Sequence, residues 1–261
     1  MAKSSLRTIS GIATIAFPLL LLAGFLLHPH LFSPSMTRTA EDLIAKFHHR
    51  TAYHLGHMLV FIGVPCMILN FIHTRDLLQG TGRVYGAVGA VIAILGAVIL
   101  AGDKGALCIV LSAFDTLPQS DFESIRPALQ AIVERRGLLT IFWALPLLPL
   151  GAIIQMIGLV KEKVMPQVTG VAAIIGLLLL NNPDIDLLNS GATLLMCTAY
   201  VPFGVRILRE GAHRRDQGVA SGDGRVGGGT REEARADLTN LTNKGRNVRI
   251  SRKAEGTCAR L

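Results

Sequence analysis

Apolar positions in this chain neither alternate nor recur once per turn; they run together. The stretches Ile9 to Leu27, Leu55 to Ile72, Val84 to Gly102, Leu138 to Val160, Val168 to Leu180 and Leu187 to Ile207 are dominated by Leu, Ile, Val, Ala and Gly. A helix rises about 1.5 Å per residue, so about 20 such residues cross a hydrocarbon core of about 30 Å. Inside lipid the backbone has no water to bond, which makes runs of this kind helical. The pattern predicts an all-α fold: a polytopic membrane protein of about six transmembrane helices in one bundle over residues 1–208. The fifth run is the shortest of the six.

A different periodicity separates the third and fourth runs. Phe122, Ile125, Leu129, Ile132 and Val133 recur at helical spacing, with Glu123, Arg126, Glu134, Arg135 and Arg136 mostly between them. This predicts a two-faced helix lying along the outer interface or lidding the bundle, with Ser120 or Asp121 capping its start. Upstream, Thr39 followed three positions later by Asp42 is a capping-type helix start, and no Gly or Pro intervenes before Gly56. The spacing predicts one helix from about Ala40 straight into the second run.

Small residues recur every four positions in the third run, at Gly89, Ala93, Ala97, Ala101 and Gly105. Such a stripe lets another backbone come close, so the third helix is expected to be central, with the stripe as a seam for a membrane partner or a second copy of the chain. Pro18, Pro65, Pro146, Pro149 and Pro202 lie in or near the runs and predict kinks.

Composition agrees with this pattern: 50% apolar residues against 17% charged, and a mean hydropathy of +0.46, are too hydrophobic for a water-soluble domain of this length. The first run follows Lys3 and Arg7 as a signal peptide would. It is longer than a typical signal core, and no small-x-small cleavage site precedes His28, which predicts a retained anchor. Charge then sets orientation. With the N-terminus inside, Arg75, Arg83, Lys161, Lys163 and the basic stretch from Arg206 to Arg215 fall in cytoplasmic segments, and the outward loops are net acidic. The positive-inside rule therefore predicts a multi-pass protein of the cytoplasmic membrane with both termini in the cytoplasm.

Residues 209–261 are rich in Gly, Asn and Arg and almost lack large apolar side chains. Such a tail cannot bury enough surface to offset chain entropy and is expected to be disordered. Its positive charge suits anionic lipid; no specific nucleic acid is expected. Asn240-Leu241-Thr242 spells a glycosylation triplet, but on the cytoplasmic side of this topology.

Candidate chemistry concentrates in one place. Six of the eight histidines, His28, His30, His48, His49, His54 and His57, fall between the end of the first run and the first turn of the second. His54 and His57 share a helix face, and His57 lies one turn inside the apolar run. Asp103 and Lys104 interrupt the third run, where an ionisable residue is costly without a partner. The topology offers Asp103 two partners, His57 and Lys104, while Asp184 and Asp186 add carboxylates on the same outer side. Two imidazoles and a carboxylate suit zinc or another divalent first-row metal with one coordination position open. His54, His57 and Asp103 are therefore the candidate metal ligands, and Asp103 and His57 the candidate catalytic pair. Haem fits less well, since facing histidines on separate helices are needed and only the second run offers one at depth.

The four cysteines, Cys66, Cys108, Cys197 and Cys258, are too far apart for a paired-thiolate motif. No phosphate-binding loop, dinucleotide turn, nucleophile elbow or His-Glu-x-x-His helix is present. Two functions follow as expectations. One is an outward-facing His/Asp cluster that binds a divalent metal or handles protons, as in a membrane-embedded hydrolase. The other is a non-catalytic transporter-like or accessory subunit whose polar cluster is structural.

Overall fold

A computed structural model of the chain describes residues 2–29, 37–181 and 185–222. All regular structure among these residues is helical: α1 Ala2–Leu26, α2 Ala40–Phe47, α3 Thr51–Leu77, α4 Gly82–Ala101, α5 Leu107–Phe114, α6 Phe122–Val133, α7 Leu147–Lys161, α8 Gln167–Leu179 and α9 Asp186–Gly222. Five helical stretches, Ser5–Leu26, Thr51–Leu77, Gly82–Phe114, Gln119–Lys161 and Asp186–Ala212, are long and apolar enough to cross a membrane. The fifth expected run is α8, a shorter helix of 13 residues.

Met1–Ala212 form one compact unit and His213–Leu261 a second. In the second, the described residues continue α9 to Gly222, beyond the boundary expected at 208. The expected disorder of the tail, Cys258 and the Asn240 triplet otherwise lie outside the described residues, as do His30 and Asp184.

Close backbone approach holds the first unit together. The stripe Gly89, Ala93, Ala97 is fully buried, and its partner is α7 of the same chain. A Cβ added at Gly89 would stand 2.7 Å from the Gly151 carbonyl oxygen, and one added at Gly151 would strike the backbone nitrogen of Ala93. Only residues without side-chain bulk allow this crossing, and dispersion between the two backbones is what they gain. The seam expected to meet a partner or second copy is thus filled from within, and Gly105, at its far end, packs on Phe61 instead. A second close crossing joins α1 to α3, where a Cβ on Gly56 would lie 2.6 Å from the Gly24 carbonyl oxygen.

Between these contacts lies a core built from Phe17, Leu21, Val64, Met67, Phe71, Met156, Leu159 and Tyr200. Buried polar side chains link the helices across it. Gln155 on α7 donates from Nε2 to the carbonyls of Phe71 on α3 (2.9 Å) and Gly86 on α4 (3.1 Å). Thr14 on α1 lies 3.0 Å from Asn70 Oδ1 on α3.

Three local expectations are corrected. The helix beginning at Ala40 does not run into α3: it stops at Phe47, and His49 takes a left-handed backbone conformation with φ of 55°. Asp115 accepts the His49 N–H at 2.6 Å and pins the break. The Thr39–Asp42 capping box does form. The helix expected from Leu138 opens instead as a 3-10 stretch, Gly137–Ala144, and turns α-helical only beyond Pro146. Pro146 lacks the N–H that an α-helical bond back to the Phe142 carbonyl would need. Finally, the two-faced helix α6 forms as expected, but Asp121 makes no side-chain cap and Ser120 donates to Asp121.

α6 packs on α2 over the N-terminal end of α3. Leu43, Phe47, Phe122 and Leu129 close a small second core with Tyr53 and Leu111, and Ala40 N–H bonds Gln130 Oε1 at 2.8 Å. This pair of short helices covers the histidine end of the bundle. At the opposite end, Glu162 accepts from Gly82 N–H at 2.8 Å and from the Thr81 hydroxyl at 3.1 Å.

The packing makes a direct prediction. Ala93→Leu places bulk where Gly151 approaches and should destabilise the detergent-solubilised protein by about 3 kcal/mol, whereas Val98→Leu on the exposed side of the same helix should leave thermal unfolding unchanged. Equal tolerance of the two substitutions would contradict the α4–α7 contact.

Candidate functional site

The third run does not reach its polar pair as a regular helix. Gly102–Ala106 form a π turn, and the Leu107 N–H that follows it bonds the carbonyls of Asp103 and Lys104 as the helix resumes. A π turn inserts one residue into the helical register, and such turns recur at functional sites. Gly102 and Gly105 carry no side chain, which eases the wider turn. The result turns Asp103 inward at 7% exposure, with Lys104 Nζ 3.1 Å from its Oδ2. A carboxylate buried at this depth is supportable because its counter-charge is adjacent.

Next to this pair stands a stack of rings. His28, just past α1, bonds through Nδ1 to Asp186 Oδ1 at 2.8 Å, and so ties α1 to the first turn of α9. Its ring lies 4.9 Å from that of His57 and 5.5 Å from that of Tyr53. His57 and Tyr53 in turn lie 4.3 Å apart. His57 Nδ1 faces the Tyr53 carbonyl oxygen at 3.0 Å. A carbonyl can only accept, so Nδ1 carries the proton and Nε2 is left as the basic nitrogen.

A second polar group sits at the α2–α3 break. Asp115, one residue past α5, faces His48 Nδ1 through Oδ1 (3.1 Å) and His54 Nε2 through Oδ2 (3.2 Å). Burial alone would raise its pKa. The His49 N–H and the two imidazoles outweigh that effect and hold the carboxyl below the ordinary carboxylate range. The His48 and His49 rings meet tilted at 35°, with centroids 3.8 Å apart. Among the described residues, His48, His49 and Asp115 are the group whose candidate metal-ligand atoms all lie within 4.8 Å of one another.

The predicted ligands His54, His57 and Asp103 therefore gather at one end of the bundle but engage separate partners. His54 turns to Asp115, His57 to the Tyr53 carbonyl and the His28 ring, and Asp103 to Lys104. Sequence reasoning placed His28, Asp186 and Lys104 in the neighbourhood but missed the His28–Asp186 bond, Tyr53 and Asp115. Helical spacing carried a signal for Tyr53, which lies four positions before His57 on one face. Asp115 carried none, because its link to His48 and His54 depends on the helix break.

Below the charged pair the bundle holds a cavity of about 170 Å³. Its wall is apolar, with Phe17, Leu21, Phe25, Met67, Phe71 and Tyr200 on one side and Leu148, Ala152 and Leu177 on the other. Asp103, Lys104 and Arg135 supply its charged lining, and Arg135 lies over the Trp143 ring at 4.8 Å. Trp143, the single tryptophan of the chain, is largely exposed at the cavity wall.

No protein-family model matches this sequence, and no curated protein or solved structure matches it either.

Proposed function

We propose that the chain is a multi-pass protein of the cytoplasmic membrane, with both termini inside, whose outward-facing His/Asp cluster handles protons at the head of a ligand cavity. The loops support the orientation: Arg75, Arg83, Lys161 and Lys163 fall at the bundle end opposite the histidines, as positive-inside topology requires. A reporter fused after Arg215 is expected to remain cytoplasmic and one inserted at Ser120 to be exported. The reverse pattern would overturn the orientation.

One observation carries the functional reading. The Asp103–Lys104 pair, set on a π turn, lines a largely apolar cavity together with Arg135 and the amides of Asn181 and Asn189. A polar group on a bound molecule meets there both a carboxylate acceptor and an ammonium donor, with the His57 and His28 rings close by. A dry cavity of about 150 Å³ holds a benzene-sized molecule, so 170 Å³ suits one ring or a short hydrocarbon segment rather than a whole lipid. The ligand class is a small apolar molecule bearing one polar group and entering from the bilayer. Hydrolysis of an ester is one reaction such a site serves: Asp103 takes a proton from water as its oxygen adds to the ester carbonyl, and Lys104 steadies the oxyanion. As the carbonyl re-forms, the C–O bond to the alcohol breaks and the alkoxide takes the proton back from Asp103.

A second reading, a non-catalytic transporter-like or accessory subunit, is favoured by the pairing of Asp103 with Lys104 and of His28 with Asp186. In that reading the cluster is structural.

The lone tryptophan offers a test. In nanodiscs, 4-bromobenzyl alcohol should quench Trp143 emission in two parts, one rising linearly through partition into lipid and one saturating through the cavity. Leu100→Phe, which fills the cavity, should abolish the saturating part. Purely linear quenching, or saturation that survives Leu100→Phe, would overturn the ligand cavity.

A further inference from the structure

We propose that His48, His49 and Asp115 form a divalent metal site, separate from the cavity and its charged pair, with His54 supporting the carboxylate. The ligand set is two imidazoles and one carboxylate, which suits zinc or another first-row divalent ion. All three side chains offer a ligand atom within 4.8 Å of the others, and His48 Nδ1 is already 3.1 Å from Asp115 Oδ1. Ligands at about 2.1 Å from a tetrahedral ion stand about 3.4 Å from one another, so small side-chain rotations complete the set.

The backbone explains how adjacent histidines come to share an ion. Side chains of consecutive residues diverge in a helix. Here His49 adopts φ of 55°, a conformation that costs a non-glycine residue about 1 kcal/mol, and the two imidazoles come together with centroids 3.8 Å apart. Pinning the break between α2 and α3 needs only the His49 N–H on Asp115. It does not need a second, exposed imidazole beside the carboxylate, and the exposure of His49 leaves an entry path for an ion.

The surroundings resemble the outer layer of a metal site. His54 Nε2 lies 3.2 Å from Asp115 Oδ2, the oxygen turned away from His48. A carboxylate held by a hydrogen bond on its second oxygen keeps its first oxygen aimed at an ion. The His54 ring is itself fixed edge-on to Tyr53, with centroids 5.8 Å apart. Three protein ligands leave a fourth position for water or a ligand oxygen, the arrangement of zinc sites that do chemistry rather than staple a fold.

Cobalt reports on such a site without reference to any activity. The full-length protein, freed of any affinity tag and held in detergent, is titrated with Co²⁺ while visible absorption and thermal unfolding are followed. One equivalent should bind with a d–d spectrum of four- or five-coordinate cobalt and be displaced by Zn²⁺. His49→Ala removes an exposed side chain and should leave folding intact while weakening Co²⁺ binding at least tenfold. His54→Gln should weaken it about tenfold, and His57→Ala should leave it unchanged. Absence of stoichiometric binding, or binding that survives His49→Ala, would overturn the site. Loss in His57→Ala with retention in His49→Ala would place the ion in the inner ring cluster and refute the assignment to His48, His49 and Asp115. The cavity-quenching result is independent of all these outcomes.

Discussion

A polar group carried into an apolar helical bundle must bring or find its partner, because neither lipid nor packed hydrocarbon can solvate it. The interior of this protein is arranged around that constraint. Gln155 gives both amide hydrogens to carbonyls on two other helices, Thr14 meets Asn70 across the α1–α3 crossing, and His28 bonds Asp186 between the end of α1 and the start of α9. Asp103 has its counter-charge on the next residue. Each bond costs little in chain entropy because close packing already fixes the helices. Interhelical hydrogen bonds of this kind contribute only about 0.6 kcal/mol on average, so their larger effect is to specify which helix lies beside which.

Small residues set the distances at which those partners meet. Gly89 and Ala93 against Gly151 bring α4 and α7 close enough that Gln155 bonds carbonyls on α3 and α4, and Gly24 against Gly56 does the same for the α1–α3 crossing. His28 just past α1, His57 on α3 and Asp103 on the π turn all lie at one end of the bundle, so these polar groups collect there. Beneath it the side chains of Phe17, Leu21 and Tyr200 leave a space they do not fill. A charged pair at the head of an apolar cavity follows directly from the two features together.

Much of this was legible in the sequence. Uninterrupted apolar runs gave the helices, and the four-residue spacing of Gly89, Ala93 and Ala97 gave a close-packed stripe. What the spacing could not tell is which helix fills the stripe: α7 carries its glycines at Gly151 and Gly158 without a four-residue repeat to mark it. The position of Asp103 near His57 was likewise readable, since chain reversal places both at one end. The π turn was not, because Gly102 and Gly105 permit it without requiring it. The break at His48–His49 was missed for a related reason. Local propensity favours a continuous helix there, and Asp115, sixty-six positions away, overrides it through a hydrogen bond to the backbone. The same override assembled His48, His49 and Asp115, and it drew His54 away from His57 and Asp103.

In the proposed function Asp103 is buried to meet a ligand rather than to hold the bundle together. The most direct measurement follows Asp103→Asn by thermal unfolding and by saturable Trp143 quenching in the same preparation. The substitution keeps the shape of the side chain and removes its charge. A ligand-binding role predicts a melting temperature close to that of the unsubstituted protein with quenching affinity reduced about tenfold. A structural ion pair predicts the opposite: half-buried Lys104 left uncompensated, destabilisation on the order of 3 kcal/mol, and unchanged affinity in the protein that remains folded. That second result would contradict the account.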